Sequence, residues 1–125
     1  MESGKLLRRL PRKAMTNIEL LEYAYRLNLP FFRGVLMTDE LRKHKPWSKE
    51  TLILNLDRST GEGTHWVAIR KNGSEVIYFD SFGLRPPPEV IKCYRGSKIL
   101  YNNEIKQKFD SSDCGKLCLE FLIGW

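Results

Sequence analysis

Apolar residues recur along this chain with two different periods. From Thr16 to Leu29 the spacing is helical, with Ile18, Leu21, Tyr25 and Leu29 on one face of a helix predicted over residues 17–28. Thr16-Asn17-Ile18-Glu19 has the form in which two side chains reciprocally satisfy the free amides of a helix start. Asn28, ahead of Leu29-Pro30, is the predicted stop, because proline disfavours helix in the chain before it. Residues 30–50 read as irregular, with a turn of helix near Thr38-Asp39-Glu40-Leu41.

The period then falls to two. Thr51–Asp57 is a predicted strand with Leu52, Leu54 and Leu56 along one face. A loop, Ser59-Thr60-Gly61-Glu62-Gly63, leads to a second strand over Thr64–Arg70. Asn72-Gly73, a strong hairpin signal, turns the chain into a third strand, Glu75–Asp80, so the three predict an antiparallel meander. Pro86-Pro87-Pro88 opens a short helix carrying Val90 and Ile91, and Lys98–Tyr101 is a fourth strand. Near the end, Ser111-Ser112-Asp113 supplies N-cap candidates for a helix whose apolar face is Cys114, Leu117, Cys118, Phe121 and Leu122. Helix, meander and helix make an α+β domain over residues 16–125, preceded by an arm over residues 1–15.

Composition narrows the class. At 125 residues, with 42% hydrophobic and 29% charged content, the chain suits one soluble globular domain and excludes disordered or fibrous classes. No apolar run approaches the ~18 residues of a membrane span, so no membrane association is expected. The start, Met1-Glu2-Ser3-Gly4-Lys5, lacks the apolar segment of a secretory signal. Three cysteines in such a chain suit free thiols in a reducing compartment rather than a disulfide framework, and a monomer is expected. The expected location is inside the cell, and secretion is not expected.

Charge is uneven. Residues 1–50 carry 11 Lys and Arg against 6 Asp and Glu, whereas 51–125 carry 10 against 9. Lys5, Arg8, Arg9, Arg12 and Lys13 face only Glu2 within the first thirteen residues. Such an arm can contact nucleic acid or serve as a nuclear address, and it equally describes a solvated terminus.

The chemistry-bearing residues follow the elements. A cysteine acts as a nucleophile in its thiolate form, which a helix N-terminus favours through unsatisfied amides and the helix dipole. Cys114 has that predicted position, and Gly115 beside it permits close backbone approach. Cys118 lies a turn deeper, and Cys93 sits in an exposed-looking stretch between charged residues. Cysteine catalysis also needs an imidazole to hold the proton and a third group to orient the imidazole. Of the two histidines, His44 is crowded by Arg42, Lys43 and Lys45 and reads as a surface residue, whereas His65 starts the second strand. Asp80 ends the third strand; a hairpin centred between Asn72 and Gly73 sets His65 opposite it, in a register where paired numbers total 145. The Cys114 amide and the Gln107 side chain, seven residues upstream, are candidate donors to an oxyanion. Spacing of Cys114 and Cys118 lacks the paired knuckles of a zinc site, and no phosphate loop is present, so neither metal nor cofactor is expected.

Gly63-Thr64-His65-Trp66, then Tyr78-Phe79-Asp80-Ser81-Phe82-Gly83, then Gln107 with Asp113-Cys114-Gly115, together resemble the adenain-type cysteine proteases. These are the adenovirus maturation proteases and their relatives in Maverick/Polinton elements and large DNA viruses, with the SUMO-specific proteases as more distant cousins. The resemblance extends over about residues 30–122, including Phe32-Arg33-Gly34-Val35-Leu36-Met37 and Leu52-Ile53-Leu54-Asn55. It implies a papain-like fold with permuted catalytic order (His, Asp, Cys), a central antiparallel sheet and the nucleophile on a helix N-terminus. It implies His65 as general base, Asp80 as its orienter, Cys114 as nucleophile and Gln107 as oxyanion donor. Trp66 and Gly115 would line a substrate groove that favours Gly-Gly-like sites in structural precursor proteins. The location that the resemblance implies is the host nucleus or a virion, with the cytoplasm as the alternative. Cys93 lies near where the adenovirus enzyme receives an activating peptide, and DNA is that enzyme's other activator. Two other readings stand beside this one: an isopeptidase for a ubiquitin-like modifier, and a non-catalytic basic nucleic-acid-binding protein on the same fold.

Overall fold

In a computed structural model that describes residues 15–56, 65–102 and 114–123, the Thr16–Glu19 capping box forms. The Glu19 amide donates to the Thr16 hydroxyl, and the Thr16 amide to the Glu19 carboxylate, each at 3.1 Å. Helix α1 (Asn17–Arg26) follows, and Asn28 takes the left-handed φ of 52° that releases the chain from it. The helix turns a different face inward than its periodicity predicted. Leu20, Ala24 and Leu27 are buried, while Ile18 and Tyr25 are 71% and 68% exposed. Both series have helical spacing, so the partner decides between them: Leu20 packs where a Cβ on Gly115 would come within 3.2 Å of its Cδ2.

The segment expected to be irregular holds strand β1 (Phe32–Met37) and a 3-10 turn (Thr38–Lys43). Every residue of β1 is half-buried, so the period-two signal of a strand is missing from it. Strands β2 (Lys49–Asn55), β3 (Trp66–Asn72) and β4 (Glu75–Phe79) form the antiparallel meander. A short helix α2 (Pro88–Cys93) leads to β5 (Lys98–Tyr101), which pairs parallel to β4. At the other edge β1 pairs parallel to β2, its register broken between Phe32 and Val35. The sheet, ordered β1-β2-β3-β4-β5, is therefore mixed: antiparallel at its centre as expected, and parallel at both edges. Helix α3 (Cys114–Ile123) completes the described elements.

Both faces of the sheet are covered. Leu20 and Ala24 of α1 and Cys118, Leu119 and Leu122 of α3 pack on one face with Ile53 and Ala68. Leu41 of the 3-10 turn and Val90 of α2 pack on the other with Leu52, Leu54, Val67, Ile69 and Tyr78. Burial on both faces explains the unbroken apolar run Leu52-Ile53-Leu54, each worth roughly 1.5–3 kcal/mol when fully buried. Among the described residues, no helix is long and apolar enough to cross a membrane.

The β3–β4 hairpin differs from its predicted register. Asn72 pairs with Glu75 around Gly73-Ser74, so paired numbers total 147 rather than 145. The slip is by two, an even number, so every side chain keeps its face. Continued past the ladder, the observed register sets His65 across from Phe82 rather than Asp80.

Candidate active site

His65 lies immediately before β3, and its carbonyl accepts from the Leu56 amide at 3.0 Å, which extends the β2–β3 ladder by one rung. Asp80 lies immediately after β4. Despite the register slip the two side chains meet, with His65 Nε2 and Asp80 Oδ1 2.8 Å apart. The same carboxylate oxygen accepts from the Phe82 amide at 2.8 Å. The Phe82 ring stacks on the imidazole, centroids 4.3 Å apart and planes 6° from parallel. The turn after β4 thus grips His65 by its edge and by its face.

Cys114 is the first residue of α3 and is 5% exposed. The helix is held to β3 at its far end, where Arg70 donates to the Phe121 carbonyl and its guanidinium lies 4.4 Å from the Phe121 ring centre. His65 Nδ1 is buried and, among the described residues, makes no hydrogen bond; it is the ring nitrogen left for Cys114. Burial of the ring disfavours its charged form. The hydrogen bond to Asp80, the contact with Cys114 and the negative charge of both outweigh burial and raise the pKa to about 9. The imidazolium is therefore the stable form at neutral pH.

The other sulfurs behave differently. Cys118 is fully buried a turn below Cys114, and burial, with the charges of Cys114 and Asp80, pushes its pKa up. Cys93 is not exposed as expected: it is half-buried at the end of α2, and burial with the nearby Glu50 charge raises it to about 11. All three cysteines are free.

His44, expected at the surface, is also inside, its side chain 7% exposed and its Nε2 2.8 Å from Glu50 Oε2. The surrounding cations misled because one of the ring's neighbours in space is an acid six residues away. Glu50 is fully buried and receives Arg33 Nη1 at 2.6 Å, the Trp47 amide at 2.7 Å and the Tyr94 hydroxyl at 2.8 Å as well. Burial would raise its pKa, but the bonds from His44, Trp47 and Tyr94 hold it at about 2.

Trp66 and Gly115, expected at a substrate groove, both face Met15. The Trp66 indole donates to the Met15 carbonyl at 2.9 Å, and a Cβ on Gly115 would sit 3.4 Å from Met15 Cβ. Met15, assigned to the arm from the sequence, is itself core. Gln107, Ser111-Ser112-Asp113 and the arm cations Lys5, Arg8, Arg9, Arg12 and Lys13 lie outside the described residues. Two residues at the site went unassigned in the sequence: Phe82, and Asn102, whose carboxamide bonds the Asp80 backbone. An asparagine just beyond a predicted strand was the available signal for the second. Among the described residues no cluster of His, Cys, Asp and Glu could hold a metal ion.

No protein-family model matches the chain. Among curated proteins it is 31% identical over 93 residues to the SUMO-1 cysteine protease S273R of African swine fever virus, covering 62% of this chain and 34% of the viral protein. A second isolate's protein, named cysteine protease S273R, gives the same values. This chain spans about a third of the length of the curated relatives it matches. The crystal structure of that virus's pS273R protease superposes with a TM-score of 0.65 at 21% identity, covering 93% of this chain and 58% of the viral chain. The fold is that of a cysteine protease. The SUMO protease Ulp1, in a structure with its catalytic cysteine oxidized to a sulfinic acid, superposes with a TM-score of 0.56 at 13% identity over 98% of this chain and 69% of its own. In sequence, then, the chain is similar to the African swine fever virus cysteine protease S273R, and in fold to that protease and to the SUMO protease Ulp1.

Proposed function

We propose that this chain is a cysteine endopeptidase in which Cys114 is the nucleophile, His65 carries the proton and Asp80 orients His65. The observation that carries the reading is one imidazole bonded through Nε2 to a buried carboxylate at 2.8 Å, with Nδ1 left for a cysteine that opens a helix. The proton that the Cys114 thiol gives up rests on His65 Nδ1 before substrate arrives. The thiolate adds to the substrate carbonyl carbon, a C–S bond forms, and the carbonyl π electrons move to oxygen. The Cys114 amide and the Gln107 side chain are the proposed donors to that oxyanion. Collapse breaks the C–N bond, the amine leaves with the proton from His65, and water, deprotonated by His65, releases the acyl group from sulfur.

The substrates proposed are structural precursor proteins of a virus or virus-like element, cut at Gly-Gly-like sites inside the host cell or virion. The papain-like, permuted assignment and the adenain kinship rest on the motifs around His65, Asp80 and Cys114. DNA is a proposed partner through the basic arm. The raised, half-buried thiol of Cys93 argues against a disulfide to an activating peptide there.

The test is cleavage of peptides with a central Gly-Gly, read by mass. Wild type is expected to cut; Cys114→Ala and His65→Ala are expected not to. Absence of cleavage, with Cys114 alkylated no faster than Cys93, overturns the assignment. The name of the viral relative, SUMO-1 cysteine protease, and the Ulp1 fold favour a second reading, an isopeptidase for a ubiquitin-like modifier. Cleavage of a folded SUMO conjugate in preference to the free peptide would select it.

A further inference from the structure

Asn102 follows the last residue of β5, and its carboxamide meets both backbone groups of Asp80. The Asp80 amide donates to Asn102 Oδ1 at 2.9 Å, and Asn102 Nδ2 donates to the Asp80 carbonyl at 2.7 Å. A carboxamide holds one donor and one acceptor in a plane, which matches the N–H and C=O that an extended residue turns to the same side. The β4–β5 ladder ends at the pair Tyr78 and Tyr101. Asn102 therefore prolongs it with a side chain where the main chain stops.

Apart from His65, the other partners of Asp80 among the described residues are local. Its carbonyl also accepts from the Gly83 amide at 2.8 Å, and its Oδ1 from the Phe82 amide at 2.8 Å. Both bonds are internal to the turn over residues 80–83 and travel with it. The Asn102 pair instead ties that turn to the sheet. Asp80 Oδ2 is buried, and among the described residues no hydrogen bond to that oxygen steadies the carboxylate. Its aim at His65 then depends on where the backbone of Asp80 is held.

We infer that Asn102 is a positioning residue of the site: by fixing the Asp80 main chain to β5 it sets the distance and direction from which the carboxylate meets His65. The inference rests on the proposed role of Asp80 as the group that orients His65. Among the described residues, the groups of negative charge that act on His65 are Asp80, from the end of β4, and Cys114, from α3; the Phe82 ring covers one face. Loosening Asp80 leaves Cys114 in place, so the imidazole retains part of its stabilisation and the effect is a graded one.

The experiment is an NMR pH titration of the His65 ring in the full chain, its resonance assigned by comparison with a His65→Gln sample. Asn102→Ala is expected to lower the His65 midpoint by about half a unit to one unit, a fraction of a charged hydrogen bond. Asp80→Ala is expected to lower it further, and Asn102→Ala added to Asp80→Ala to change it little more. A midpoint unmoved by Asn102→Ala overturns the inference. So does an equal fall with and without the Asp80 carboxylate, because Asn102 would then act by another route. Should Asn102→Ala not fold, Asn102→Ser, too short to span both backbone groups, is titrated in its place. The midpoint needs no substrate, so a shift without any peptide cleavage sinks the protease reading and leaves the clamp, and cleavage without a shift does the reverse.

Discussion

Replacing Asp80 with asparagine keeps the shape of the side chain and removes its charge, which isolates the electrostatic part of what surrounds His65. The imidazole is raised from 6.5 to about 9 in the folded protein, a difference worth about 3 kcal/mol. Because the folded value lies above the unfolded one, this stabilisation is fully present below pH 6.5 and is lost as pH rises through 9. Asp80 supplies a hydrogen bond and a charge, and Cys114 supplies the remainder. A hydrogen bond to a charged group contributes about 1.5–3 kcal/mol, so Asp80→Asn should remove about half or more of the total. Urea unfolding of both proteins at pH 6 and pH 10 reads this directly. The variant is expected to be less stable by about 1.5–2 kcal/mol at pH 6 and nearly equal at pH 10, since the remaining titrations are common to both. In cleavage assays the alkaline limb of kcat/KM should move to lower pH in the variant. An equal deficit at both pH values would refute the reasoning, because the loss would then lie in packing rather than in a charged imidazole.

Glu50→Gln is expected to cost about 3–5 kcal/mol at pH 7, measured by urea unfolding, because Arg33 loses its buried counter-charge. Glu50 is depressed to about 2, so the wild-type advantage is present above pH 4.5 and should shrink as pH falls through 2. Gly115→Val should destabilise by about 1–3 kcal/mol in thermal melts and lower cleavage more than stability, since its Cβ crowds Leu20 beside Cys114. Leu20→Ala, at a fully buried position of α1, should cost about 2–5 kcal/mol by the same melts. Phe82→Leu removes the ring stacked on His65 and keeps the amide that bonds Asp80; an acid shift of about half a unit in the His65 NMR midpoint is expected.

The elements with a single strong period were legible. The Thr16 capping box, the meander and Cys114 at a helix start all follow from local pattern, and they placed His65, Asp80 and Cys114 at the ends of their elements. What failed depended on partners distant in sequence. Two apolar series compete on α1, and docking near Gly115 decides between them. Strand β1 is an edge with every residue half-buried, which leaves no alternation to read. His44 sits among lysine and arginine in sequence, but Glu50 makes it an interior residue. The hairpin turns one residue later than Asn72-Gly73 suggests, and the His–Asp contact survives because both side chains reach beyond the paired rungs. Asn102 meets Asp80 across twenty-two positions, and its place just beyond a predicted strand names no partner at that distance.

The Met15 contacts bear on where a recombinant fragment can be trimmed. Two residues ahead of the first helix, Met15 gives its carbonyl to the indole next to His65 and its side chain to the glycine next to Cys114. A version begun at Thr16 would keep every element of secondary structure described here. It would also strand a buried indole N–H, at a cost of about 1–3 kcal/mol, and open a void beneath the start of α3. A fragment with native circular dichroism and a slack, poorly reactive thiol is the outcome to expect from such trimming. Met15 thus works as a wedge between the histidine-bearing strand and the cysteine-bearing helix.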